Sequence, residues 1–410
     1  MSATGLRPLI LNTPRHPAPA PENRPAFAVT RLVLSAFRSY RDLRLEVDPR
    51  PVVLTGANGG GKTNLLEALS FLSPGGGLRG ARLADVARRG APEDEAGPWA
   101  VAATVVGPGG AVDIGTGQDP SGGQRRVVRI DGAPASGQAA LAEKVAVVWL
   151  TPAMDRLFND GPQARRRFLD RLVHGFDPGH ARRISAFQRA LRERARVLRG
   201  GGGDAAWLDA IEDTMAGHAV AVTAARHDAV ARLRGVLGAG IGPFPAATLD
   251  LVGEIDEWLA DMPAVDVEAR LRETLGRQRA HDAVAGGAAA GPHRGDLVVG
   301  HVANGLAAAQ CSTGEQKMLL ISLVLASARL HAARGGAVPV LLLDEVAAHL
   351  DADHRAALID ELSALGGQAW LTGTDPAAFT DFGARAQYLT VADGAITGPR
   401  ISAVPHTGTA

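Results

Sequence analysis

The chain has 410 residues, 46% hydrophobic and 21% charged, the balance of an ordinary soluble globular protein with room for two or three substructures sharing a large core. Lysine plus arginine equals aspartate plus glutamate at 43 each, so net charge points neither toward nor away from a nucleic-acid partner; only local clustering can signal one. The single cysteine, Cys311, excludes a disulfide framework and a cysteine-built metal site and fits a reducing compartment, while no apolar run reaches the roughly 20 residues that span a bilayer.

Residues 1–27, rich in Pro, Ala and Arg, lack the apolar core of a signal peptide and read as a disordered extension of a cytoplasmic protein. Strand patterns follow at Val29–Leu34, Leu43–Val47 and Pro51–Thr55, the last wholly apolar and running into a glycine-rich turn. Asn64–Leu72 has helical spacing. Short strands are predicted at Trp99–Val106, Val112–Ile114 and Val127–Ile130, and an apolar one at Val145–Leu150. From Ala164 to about Ala283 the pattern is helical, rich in Ala, Arg and Leu, with breaks at Gly200–Gly203 and Gly238–Pro245. Strand character returns at Asp296–Gly300. A helix over Gly314–Leu330, a strand over Val338–Leu343, a helix over Asp353–Leu365 and a strand over Ala369–Thr372 close the order. Strands alternating with helices at both ends predict an α/β fold, its parallel or mixed sheet assembled from the two ends. The division is 28–150 and 291–410 for that sheet, with an inserted helical, arginine-rich lobe over 151–290.

The turn after Pro51–Thr55 reads Gly56-Ala57-Asn58-Gly59-Gly60-Gly61-Lys62-Thr63-Asn64, a P-loop without exception. Glycines let successive backbone N–H groups face a phosphate with no Cβ in the way, and the following helix adds its positive end. Lys62 brings a mobile charge for β/γ oxygens and Thr63 a hydroxyl for Mg²⁺. Far downstream, the apolar Val340–Leu343 ends in Asp344 and Glu345. Asp344 suits the metal of a bound ATP and Glu345 the attacking water.

GTPase-like switches, RecA-like motors and ABC-type ATPases share these parts. Ser312-Thr-Gly314-Glu315-Gln316-Lys317, opening a long apolar helix, resembles the ABC signature, in which Ser and Gly meet a γ-phosphate across a head-to-tail dimer. Ser312 with Glu315 is also a capping box, and the two readings are compatible. Ala347–Asp351 stands where that class has its D-loop against the partner, so Asp351 joins the nucleotide-site candidates. The class often carries a γ-phosphate-sensing histidine after the next strand; here Thr372 or Thr374 stands instead.

With these segments in place the chain resembles the RecF family, bacterial DNA replication and repair proteins. The resemblance runs through Phe37–Arg41, Gly56–Asn64, Trp149–Pro152, Arg165-Arg-Arg-Phe-Leu-Asp170, Gly291-Pro-His-Arg294, Ser312–Lys317 and Leu343–Val346. It implies an ABC-type head, ATP-dependent dimerisation on DNA, slow ATP hydrolysis, and recombinase loading at single-strand gaps with a RecR-type mediator. Two departures stand out: Gly295 intervenes where the family usually places an acid, and Glu345 replaces a common second aspartate. Twelve arginines face five acids between Thr151 and Gly200, an excess of seven suited to phosphate contacts. No aromatic interleaving that would suggest base stacking is read there, so backbone binding with little sequence preference is expected. Arg38 and Tyr40 stand ready to cover an adenine, with Tyr40 equally a core residue; His293 and Arg294 couple the lobes, touch DNA or form a packed turn. A transporter's ATP-binding subunit and another SMC-like ATPase are the alternatives. The long interval from Thr63 to Ser312 and the arginine-rich lobe speak against the transporter.

Overall fold

The computed structural model describes residues 26–88, 97–121, 125–201, 204–333 and 337–398. Of the extension expected over 1–27, residues up to 25 lie outside the described ones, but Ala26 and Phe27 are seated. Ala26 bridges Val338, and the Phe27 N–H donates to the Val338 carbonyl at 2.9 Å.

β1 (Ala28–Phe37) and β2 (Tyr40–Glu46) pair antiparallel, with Leu32 opposite Leu45. β3 (Val52–Thr55), buried on both faces, leads through the glycine loop into α1 (Lys62–Ser70). After the single turn of α2 (Leu83–Val86) come β4 (Ala100–Gly107), β5 (Gly110–Gln118), β6 (Arg126–Ile130) and β7 (Ala133–Pro134). They join β1 and β2 in an antiparallel sheet of order β2-β1-β4-β5-β6-β7. Buried and exposed residues alternate along β4, as in a sheet with one covered face.

β8 (Val147–Leu150) precedes the helices α3 (Pro162–Phe176), α4 (His180–Arg199) and α5 (Ala205–Leu237). Pro162 starts α3 with a φ already helical, and the Asp204 carboxylate caps α5 by accepting the Ala206 N–H at 3.0 Å. The helical expectation then fails at one place. Ala247–Val252 is a strand, β9, in which Ala247 and Leu249 point inward. Its period-two pattern is visible in Ala-Thr-Leu-Asp-Leu-Val, but six residues are too short a stretch to stand out from the helical run around them. The helices α6 (Glu254–Asp261), α7 (Ala264–Arg277) and α8 (Arg279–Ala285) follow. β10 (Asp296–His301) pairs antiparallel with β9, Leu297 opposite Leu251. The strand expected at Asp296–Gly300 therefore exists but stands apart from the main sheet, in a ribbon with a strand from inside the presumed helical lobe.

α9 (Thr313–Ala333), β11 (Val340–Leu343), α10 (Ala352–Leu365), β12 (Ala369–Gly373), β13 (Gln387–Ala392) and β14 (Ala395–Thr397) complete the chain. The second sheet has the order β14-β13-β3-β12-β11-β8 and is parallel except for the β13–β14 hairpin. Its central strands read as unbroken apolar runs, since helices and the other sheet cover both faces. The mixed α/β architecture built from both chain ends is thus present, as two sheets and a ribbon.

Three apolar clusters fill the molecule. One lies between the two six-stranded sheets and α1. A second joins α3, the C-terminal half of α5, the ribbon, α9 and α10. The third, smaller, packs α4 and the N-terminal half of α5 against α6 and α7. The boundaries 151 and 290 consequently do not separate packing units: α3 and half of α5 belong with the head, and only the far end forms a distinct helical lobe.

Candidate functional site

β12 lies between β3 and β11, and that order creates the site. The P-loop leaves the carboxyl end of β3, Asp344 follows the carboxyl end of β11, and Thr372 sits on β12 between them. Thr63 Oγ1 donates to Asp344 Oδ1 at 3.0 Å, and Thr372 Oγ1 donates to the same oxygen at 2.7 Å. Burial pushes the Asp344 carboxyl above its ordinary value, opposed by these two hydroxyls. Crevices at the carboxyl ends of parallel strands are where such sheets bind ligands.

Gly56, Gly59 and Gly61 have φ of 144°, 82° and 115°. A Cβ on Gly56 would stand 2.1 Å from the Val391 carbonyl oxygen, so this turn admits only glycine against β13. Gly60 accepts the Gly394 N–H at 3.1 Å, holding the loop to the β13–β14 hairpin, while Ala57, Asn58 and Gly59 are exposed. The buried Lys62 ammonium donates to the carbonyls of Gly56 at 2.6 Å and Ala57 at 2.8 Å, curling over the loop it closes. Asn64 donates to Ser39 Oγ at 2.9 Å and accepts from Arg79 at 2.8 Å.

Two aromatic-site expectations change here. Tyr40 is buried and donates to the Gly61 carbonyl at 3.1 Å, so it braces the loop from behind; burial lifts its phenol far above the ordinary range. Arg38 is committed to Glu67, a fully buried carboxylate, through bonds of 2.8 and 2.7 Å. Both side chains are thus engaged within the protein, and Tyr40 takes the core role. Glu67 and Arg79, which also pairs with it, escaped the sequence reading. The available signal was an acid on the apolar face of Asn64–Leu72.

Glu345 is a non-glycine residue with φ of 49°, a conformation costing on the order of 1 kcal/mol or more. Its N–H donates to Thr372 Oγ1 at 2.8 Å, so one hydroxyl fixes both acids. Thr372 is fully buried and satisfied, which removes it as a stand-in for a phosphate-sensing histidine; Thr374 is exposed.

Ser312 and Gly314 are exposed at the start of α9. The capping box forms: Ser312 Oγ donates to Glu315 Oε2 at 2.8 Å, and the Glu315 N–H reaches back to Ser312 Oγ at 3.3 Å. The Ser312 N–H and hydroxyl hold the Glu315 carboxyl below its usual range. Lys317 donates to the Ala348 carbonyl at 2.6 Å, tying the signature helix to the segment after Glu345. Asp351 caps α10, accepting the His354 N–H at 2.9 Å and facing His354 Nδ1 at 2.8 Å.

The profile described as RecF/RecN/SMC N terminal domain matches residues 28–380. DNA replication and repair protein RecF of Rhizobium meliloti (strain 1021) is 51% identical over 374 residues, covering 90% of this chain and 98% of the relative. The chain belongs to the RecF family. The RecF of Agrobacterium fabrum (strain C58) is 50% identical over 373 residues, with 90% and 98% covered. In fold this chain is similar to a solved recombination mediator protein RecF–ATPrS of the RecFOR pathway, with a TM-score of 0.76 at 20% identity over 92% of this chain and 99% of that one. The Smc head domain from Pyrococcus yayanosii aligns at a TM-score of 0.51 and 16% identity over 91% and 97%.

The two motifs most particular to the RecF resemblance clasp each other. Arg165 of α3 forks onto Asp296 at 2.8 and 2.7 Å, and Arg166 donates to the Gly295 carbonyl at 2.6 Å. Asp170 receives Arg226 of α5 at 2.9 and 3.0 Å, and Arg226 also reaches the Pro292 carbonyl at 2.7 Å. Burial opposes the Asp170 charge, yet Arg226 and His180 hold its pKa far below the ordinary range. His293 and Arg294 both bond the Ala288 carbonyl, making a packed turn. Gly295, the departure from the family pattern, lies where a Cβ would approach Asp256 Oδ2 to 2.9 Å. These motifs lock α3, α5 and the ribbon into one body.

The arginine excess shrinks accordingly on the surface. Arg171 lies over the Trp149 ring at 4.2 Å, and loss of hydration lowers its guanidinium to about 9. Arg194 is buried, Arg182 pairs with Glu143, and Arg183 pairs with Asp177. The exposed arginines are Arg156, Arg167, Arg182, Arg189, Arg192, Arg196 and Arg199. Among the described residues no helix is long and apolar enough to cross a membrane.

Proposed function

We propose that this RecF-family chain is an ATP-driven DNA clamp of replication and recombinational repair, cytoplasmic, acting at single-strand gaps with a RecR-type mediator. ATP binds to the P-loop of one copy, Ser312 and Gly314 of a second copy complete the site, and hydrolysis is slow. The observation that carries this reading is the meeting of Thr63 and Asp344, from opposite ends of the chain, beside a glycine cradle and a lysine. The related RecF–ATP structure of the RecFOR pathway supports it by fold.

The donor set fits the groups it would hold. Thr63 and Asp344 offer adjacent oxygens, the ligands a hard divalent cation takes, and Mg²⁺ there would neutralise the β and γ oxygens. Lys62 would exchange two carbonyl acceptors for anionic phosphate oxygens, a stronger charge-assisted bond. Glu345, held in place through Thr372, would orient and deprotonate the water. Ser312 would release Glu315 on meeting the partner's nucleotide, and the start of α9 would add its dipole.

Size-exclusion with light scattering and DNA-binding titrations test this reading. Wild type is expected to dimerise and bind DNA more tightly with ATP, while Lys62→Ala loses both responses. An ATP response undiminished in Lys62→Ala would remove the P-loop from the mechanism.

Thr372→Val deletes the hydroxyl shared by the two acids at nearly constant volume. Turnover is expected to fall about tenfold, the worth of one well-placed hydrogen bond, with ATP affinity unchanged and activity restored by Thr372→Ser. Steady-state kinetics decide, and turnover within twofold of wild type would dismiss the positioning role.

A further inference from the structure

Tertiary packing sets an exposed aromatic ring beside the arginine-rich segment, whose own Phe158, Phe168 and Phe187 are buried. Arg189, Arg192 and Arg196 recur at helical spacing along α4, and Trp207 begins the facing side of α5. They line a trough of about 660 Å³ whose walls include Ala186, Ala190, Ala210 and Thr214, small side chains that leave it open. Trp207 is 53% exposed, whereas Trp99, Trp149, Trp258 and Trp370 are buried. Among the described residues lining the trough Glu193 is the one acid, and it pairs with Arg196. Arg189 and Arg192 are exposed.

We propose that this α4–α5 trough is a single-stranded DNA site, in which an unpaired base stacks on Trp207 while Arg189 and Arg192 meet the flanking phosphates. The inference rests on the DNA-binding reading and adds to it a strand preference and a location. A large exposed indole is costly to leave in water without a partner, and every base offers a π-face regardless of sequence. Net positive charge around it selects an anionic chain. Duplex DNA presents no free base face, so its binding should not need the indole. The trough lies on the distal helical lobe, away from Thr63 and Asp344, so nucleotide binding serves as a control for folding.

The test uses the full chain and its Trp207→Ala, Trp207→Phe and Arg189→Ala/Arg192→Ala variants. Fluorescence anisotropy with short oligo-dT and with a duplex of equal length is measured, alongside acrylamide quenching of tryptophan emission. Oligo-dT is expected to shield wild-type emission from acrylamide. Trp207→Ala should bind oligo-dT about tenfold more weakly, with duplex affinity within twofold and ATP binding unchanged, and Trp207→Phe should recover most of the loss. The double arginine variant should weaken oligo-dT binding and flatten its salt dependence. Equal oligo-dT affinity in wild type and Trp207→Ala would overturn the trough while leaving the DNA-binding reading intact. Absence of any DNA binding would overturn both. Shielding by polyglutamate but not oligo-dT would make the trough a peptide site and refute the proposal.

Discussion

Glu345→Gln is expected to preserve ATP binding, lower turnover by roughly two orders of magnitude or more, and leave two copies locked together around ATP. The amide keeps the size of the carboxylate and the bond from the Glu345 N–H to Thr372, so the backbone geometry that this left-handed residue needs should survive. It cannot accept a proton from water, and that step alone is lost. ATP and the partner's Ser312 and Gly314 would then stay engaged, and DNA affinity should rise with dimer lifetime. Light scattering in saturating ATP decides: a variant that remains monomeric sinks the composite-site reading, whatever its turnover.

Arg194→Leu is expected to be the most destabilising single change in the distal lobe. This buried guanidinium binds Glu212 of α5 at 2.8 Å, Asp282 of α8 at 2.7 Å and the Leu275 carbonyl of α7 at 2.7 Å, joining four helices through one side chain of α4. Removing it strands acids that are almost wholly buried, a loss of about 3–5 kcal/mol. Arg279 still reaches Glu212, and the Ala289 N–H still reaches Asp282, which keeps the loss toward the lower end. Urea unfolding should show an earlier transition, and limited proteolysis should cut the lobe first while nucleotide binding persists. Replacing Arg194, Glu212 and Asp282 together by apolar residues should recover much of the stability, because no buried acid is then stranded and Arg279 keeps Asp209. An unchanged urea midpoint for Arg194→Leu would show that the network contributes little.

The arginine-rich segment shows how far linear charge can mislead. Arg165, Arg171 and Arg194 count equally with Arg189 in a charge sum, yet Asp296, the Trp149 ring and the Glu212–Asp282 pair absorb them. Their partners lie up to 131 residues away, beyond any local pattern. Trp207 was hidden for a related reason: it belongs to the next helix, and only the packing of α4 on α5 sets it opposite the arginines.

The glycine loop was legible in the sequence because its chemistry is local. Apolar strand, glycine turn, Lys62-Thr63 and helix are contiguous; backbone geometry calls for the glycines, and phosphate and metal chemistry call for Lys62 and Thr63. The capping box at Ser312–Glu315 is local for the same reason, as are the apolar strands, whose burial on both faces is written in their composition. What only the tertiary structure decided is who stands beside whom. Strand order puts β12 between β3 and β11, making Thr372 the bridge between Asp344 and Glu345. It also sends β10 to pair with β9 and commits Arg38 to Glu67. These outcomes depend on long-range register and on which buried charge finds which partner, energies that arise only when distant segments share one desolvated core.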